Sequence, residues 1–135
     1  IETQVQGYVE KQATSVAALD ELKQITLDMK NALLQGRLDD FGTLLHDAWE
    51  NKKQLAKQIT NQSIDLLYET ARKNGALGGK ILGAGGGGYL LVYCPFDQKH
   101  MIAEKLENLG GQIVKFGFDQ NGLQTWEIND AQCRF

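Results

Sequence analysis

The sequence predicts an α+β domain, with helices filling the first half of the chain and strands concentrated in the second. Three observations carry that expectation. Apolar residues recur at three- and four-residue steps over residues 5–75, with no proline among them. Beyond residue 76, two short apolar runs flank five glycines in six positions, Gly83-Ala84-Gly85-Gly86-Gly87-Gly88. Further on, Asn121-Gly122 separates two more strand-like runs, and Asn-Gly is a strong hairpin signal.

The first helix is expected over residues 5–35, where Val9, Ala13, Val16, Leu19, Leu22, Ile25, Met29 and Leu33 mark one amphipathic side. Gly36 stops it. Asp39 and Asp40 offer a cap and an acidic first turn for a second helix, whose apolar positions are Phe41, Leu44, Leu45, Ala48, Leu55, Ala56 and Ile59. That helix is expected to run to about Thr60. Asn61 caps a third, carrying Ile64, Leu67, Tyr68 and Ala71 and ending at Asn74-Gly75. Residues 80–82 and 89–94 read as strands, the second closed by Pro95, which cannot continue a ladder. Residues 97–109 return to helical spacing behind an Asp97 cap, and end at Gly110-Gly111. Strands over 112–118 and 123–128 then pair antiparallel through the 119–122 turn, completing a small, mostly antiparallel sheet.

The totals narrow the function classes. A chain of 135 residues is one domain, or one half of a larger enzyme, and 42% hydrophobic residues suffice for a core. Net charge is −3 and the basic residues are scattered, which argues against a nucleic-acid surface. The apolar run at 89–94 is far too short to cross a bilayer, so no membrane partner is expected. Cys94 and Cys133 form neither a metal spacing nor a disulfide framework, which points to free thiols in a reducing, cytoplasmic setting. No signal peptide and no initiator Met open the chain, which therefore reads as cut from something longer.

The glycine run is open to two readings from its residues alone. It is a tight or loose connection between strands, or a cradle of backbone N–H groups for an anion. Gly83, Gly85 and Gly88 satisfy G-x-G-x-x-G, but a strand follows where dinucleotide binding requires a helix. A Walker-type G-K-[ST] ending and the V-A-I-K, H-R-D and D-F-G elements of protein kinases are missing as well.

Lysines supply the second cue. On a helical wheel Lys52 falls among Phe41, Leu45 and Ala48, either snorkelling from the core or aiming a cation into a cleft. His46, Trp49 and Lys53 lie on the adjoining flank; a lone His and a lone Trp suit packing as well as binding. Lys80, three residues before the glycine run, either balances a phosphate or guards a sheet edge. Cys94 suits a buried structural thiol. No complete catalytic apparatus and no metal site are visible. On residues alone, a stand-alone ligand-binding or dimerisation module of α+β fold remains a rival to an enzyme domain.

Residues 74–91, Asn74-Gly75-Ala76-Leu77-Gly78-Gly79-Lys80-Ile81-Leu82 followed by the glycine run and Tyr89-Leu90-Leu91, resemble the third, C-terminal motif of the GHMP kinases. Leu45-His46-Asp47-Ala48-Trp49, Lys52-Lys53 and Asn61-Gln62-Ser63-Ile64-Asp65 resemble the branch with heptose 7-phosphate kinases and fucokinase-like sugar kinases. The resemblance spans essentially the whole chain. It implies a ferredoxin-like C-terminal half, residues 1–135, of a kinase that phosphorylates a sugar or sugar phosphate. It also implies ATP and Mg held mainly by an N-terminal kinase domain, a fragment inactive alone, and a glycine loop at the domain interface. Phosphoryl transfer needs positioning and charge stabilisation, which suits a loop without side chains. Lys52, Lys53 and Lys80 are then the candidate contacts for a substrate anion, with His46 and Trp49 behind them.

Overall fold

The computed structural model describes residues 2–55, 59–83 and 87–126, with side chains from residue 15 onward. Helices α1 (Glu2–Leu34), α2 (Leu38–Leu55) and α3 (Gln62–Lys73) precede strands β1 (Gly78–Leu82) and β2 (Tyr89–Tyr93). A 3₁₀ turn (Phe96–Gln98) leads into α4 (Lys99–Asn108). The two strands pair antiparallel, from Gly78 opposite Tyr93 to Leu82 opposite Tyr89. Helix α2 lies between α1 and β1, while α3 packs against β2 and α4.

Local chemistry sets the boundaries. Gly36, at φ 71°, ends α1 in the left-handed conformation that glycine adopts without steric cost. Asp39 and Asp40 sit in the first turn of α2, where carboxylates meet the positive end of the helix dipole. The Asn61 side chain accepts a hydrogen bond from the Ile64 backbone N at 3.0 Å, capping α3 as its sequence position predicts. At the other end of α3, Arg72 Nη1 donates to the carbonyls of Ala76 and Leu77 at 2.8 and 2.5 Å. That fork ties the helix exit to the entry of β1.

Two small cores hold these elements. Trp49, Ile59, Ile64, Tyr68 and Ile81 form one, joined by Leu90. Ala71, Ala76, Ile102 and Leu106 form the other, flanked by Leu67, Val92 and Cys94. Between α2 and α3, His46 Nδ1 lies 2.6 Å from the Tyr68 hydroxyl, and the two rings stack at an interplanar angle of 11°. Burial pushes the Tyr68 hydroxyl up to about 12, so it stays protonated.

The tightest packing is backbone on backbone. Helix α2 meets β1 where Gly42 faces Gly78, and both residues are buried. A Cβ on Gly78 would run into the Gly42 carbonyl oxygen and come within 2.8 Å of the His46 backbone N. A Cβ on Gly42 would strike the Tyr93 ring and lie 2.9 Å from Leu77 Cβ. Only two glycines allow this approach.

Several sequence expectations need correction. Helix α2 is described to Leu55, residues 56–58 lie outside the described ones, and Ile59 is already in a bend, so the helix stops short of Thr60. Asp97 lies in the 3₁₀ turn, and Gln98, without a side-chain cap bond, precedes α4. The apolar positions of α1 do not form one buried side: Ile25 and Ala32 are buried, whereas Val16, Leu19 and Leu33 are more than half exposed. The paired strands expected at 112–118 and 123–128 are absent over 112–126; residues 127 and 128 lie outside the described ones. The local turn does form, with the Asn121 backbone N donating to Asp119 Oδ1 at 2.8 Å and Gly122 at φ 65°. A lone hairpin is marginal without a surface to bury its apolar side, and Phe116, Phe118, Leu123 and Trp126 are between 69% and 93% exposed.

Two substitutions probe this framework. Gly78→Ala forces α2 off β1 and should cost about 1–3 kcal/mol, read from the urea midpoint; an unchanged midpoint contradicts the close seat. The raised Tyr68 hydroxyl stabilises the fold below pH 10, and that contribution is lost between 10 and about 12, as ionisation favours the unfolded chain. Tyr68→Phe should therefore flatten the fall in urea midpoint over that window, while lowering stability at pH 7 by about 1 kcal/mol through the lost hydrogen bond. Equal alkaline slopes for both proteins would count against the assignment.

Candidate functional site

Seating Gly42 on Gly78 sets α2 and β1 side by side, both advancing toward the glycine run. Ten residues of helix from Gly42 to Lys52 rise about 15 Å, and five residues of strand from Gly78 to Gly83 rise about 16 Å. The two counts bring Lys52 level with Gly83. Its ammonium lies 3.5 Å from the Gly83 carbonyl oxygen, so this side chain reaches the mouth of the glycine turn.

Lys80 joins it from the strand. Alternation along β1 places Lys80 on the face of Gly78, the face turned to α2, while Ile81 points into the Trp49 core. Burial, and after it the charge of Lys52, lowers the Lys80 ammonium below the ordinary lysine range. Two cations therefore converge where β1 enters the turn. Among the described residues, neither makes an ion pair with a carboxylate.

The other sequence candidates on α2 turn elsewhere. Lys53 binds Glu50 Oε1 at 2.7 Å and lies 5.9 Å from the centre of the Tyr68 ring. His46 is taken by Tyr68, with Glu50 Oε1 4.0 Å from its Nδ1. Trp49 is fully buried and serves the core, its Nε1 unpartnered among the described residues. Cys94 is a free, half-buried thiol that burial pushes up, as a structural role expects. Gly42, which places Lys52, went unremarked in the sequence; an isolated glycine inside a helical pattern is the signal that could have found it.

The turn itself spans 83–88, opening after the Leu82–Tyr89 pair. Ala84, Gly85 and Gly86 lie outside the described residues. Gly83 and Gly88 take φ of 97° and 108°, a region in which side chains are strained, so glycine is required at both ends. Leu82 and Tyr89 are exposed beside it. No three His, Cys, Asp or Glu side chains gather to hold a metal among the described residues. No helix among them is long and apolar enough to cross a membrane.

Comparisons with known proteins place this geometry. Residues 29–112 match the family described as GHMP kinases C terminal. The chain is 32% identical over 117 residues to D-glycero-alpha-D-manno-heptose 7-phosphate kinase of Campylobacter jejuni, an alignment covering 84% of this chain and 34% of that protein. It is 30% identical over 112 residues to L-fucokinase/L-fucose-1-P guanylyltransferase of Bacteroides fragilis, covering 79% of this chain and 12% of that one. Mevalonate kinase from methicillin-resistant Staphylococcus aureus superposes with a TM-score of 0.59 at 20% identity, over 72% of this chain and 32% of that chain, a likeness of fold. The chain thus spans about a third of the heptose kinase and less of the fucokinase. With the family match running from the end of α1 through β1 and β2 to the end of α4, the chain belongs to the GHMP kinases as a C-terminal domain.

Proposed function

We propose that residues 1–135 are the C-terminal domain of an ATP-dependent cytoplasmic kinase that phosphorylates a hydroxyl of a sugar phosphate of the heptose 7-phosphate kind. One observation carries the reading: the six-residue glycine turn opens directly beside an ammonium group delivered to Gly83 by α2. Likeness to the Campylobacter heptose kinase supports the sugar-phosphate substrate over a neutral sugar. The two unpaired cations fit a phosphate group; ATP, when bound, supplies the phosphoryl group that is transferred. Magnesium and most nucleotide contacts fall to an N-terminal kinase domain, as the resemblance to the GHMP kinases implies.

This chain's own residues then position and neutralise. Phosphoryl transfer demands little covalent chemistry from the protein, so alignment and charge compensation dominate. Glycines at 83, 87 and 88 expose backbone where a phosphate can approach without meeting a side chain, and Lys52 and Lys80 hold positive charge at its edge. Alone, the domain lacks the partner wall and is inactive.

The test uses the full-length protein with Mg-ATP and a panel of heptose and hexose phosphates beside their neutral sugars. Transfer to a sugar phosphate is expected, and Gly88→Val, which strains a residue at φ 108°, should lower kcat/KM about 100-fold while the fold persists. Near-normal kcat/KM in that variant would return the glycine turn to a mere connection between strands.

A further inference from the structure

We infer that Lys52 and Lys80 together form a binding site for a phosphate dianion at the entrance of the glycine turn, distinct from the structural lysine Lys53. The kinase reading supplies only the candidate carriers of that phosphate; the site stands on geometry. Lys52 is delivered from α2 to within 3.5 Å of the Gly83 carbonyl, and Lys80 emerges on the same face of β1 two residues beyond Gly78. Like charges brought together and partly desolvated repel, and a fold keeps such a pair when an anion completes it. Lys53, one residue along the helix, shows the contrasting arrangement, because Glu50 neutralises it at 2.7 Å. Arg37 and Lys23 likewise have acidic partners, Asp40 and Asp20. The Lys80 ammonium is lowered by its burial and then by the charge of Lys52.

Phosphate fits better than a carboxylate. Two point cations on separate elements suit a group with several strong acceptor oxygens, whereas a carboxylate is matched by one planar guanidinium. The phosphate is carried either by the sugar substrate or by the nucleotide, and binding measurements separate these sources. Lys52 is half-buried in the last turn of α2 and belongs to neither core cluster, so removing its charge is expected to leave the fold intact.

Isothermal titration of full-length protein with mannose 6-phosphate, mannose, ATP and inorganic phosphate makes the test. Lys52→Met and Lys80→Met should each weaken inorganic phosphate by about 10- to 100-fold, the scale of one charge-assisted contact. Parallel loss for mannose 6-phosphate with ATP unchanged assigns the site to the sugar's phosphate; loss for ATP alone assigns it to the nucleotide. Either result supports the site. Lys52→Arg should recover most of the affinity, and Lys105→Met, at an exposed position of α4, should leave it unchanged at matched ionic strength. Affinity should also fall as pH rises, earlier than for an ordinary lysine, because Lys80 gives up its proton sooner. Unchanged phosphate affinity in both Met variants, or an equal loss with Lys105→Met, overturns the proposal. A protein that binds phosphate through these lysines yet transfers nothing from ATP would instead defeat the kinase reading alone.

Discussion

The contact of Gly42 with Gly78 is the constraint on which the rest of the site depends. Side chains normally keep a helix about 10 Å from a sheet, and their absence here lets two backbones touch. Once that point is fixed, the unlike rises of helix and strand do the remaining work. Ten helical residues and five extended ones cover nearly the same distance, so Lys52 and the start of the glycine turn arrive together. The motif's early glycines and its later ones therefore have different roles. Gly78 and Gly79 give room to neighbours inside the fold, Gly42 on one side and Leu91 and Tyr68 on the other. Gly83 and Gly88 instead meet conformational demands at an open surface.

Helix α2 sorts its polar residues by direction. His46, Glu50 and Lys53 form a closed set around Tyr68, satisfying one another on the side facing α3. Trp49 goes inward, beneath Ile81. Lys52 alone among the helix's candidate residues turns to the glycine run. A helix advances 100° per residue, so Lys52 and Lys53 part company despite being neighbours. Their partners differ too: Lys53 has a carboxylate and Lys52 a backbone carbonyl.

Much of this was legible in the residues. The three leading helices, the Asn61 cap, the strands either side of the glycine run and the Pro95 stop all follow from local rules, and local rules governed them in the fold. The family followed from the glycine motif. What was not legible depends on distant partners. The wheel placed Lys52 in an apolar stripe, but whether it snorkels or reaches a site is decided by β1, almost thirty residues away. Gly42 gave no periodic signal because its neighbour is a backbone. The runs at 112–118 and 123–128 have strand composition and a sound turn, yet composition states only what a segment would do with a surface to cover it. For α1, an apolar count could not reveal that Val16 and Leu19 stay more than half exposed.

The α2–β1 seat holds the two lysines together at the turn. The most direct measurement of this is the titration of the Lys80 ammonium by side-chain NMR in the full-length protein, before and after Gly42→Ala. Burial and the Lys52 charge should hold Lys80 below the ordinary lysine range in the native protein. Displacing α2 should raise it toward that range. An ordinary value in the native protein, or a lowered value that Gly42→Ala does not move, would contradict this arrangement.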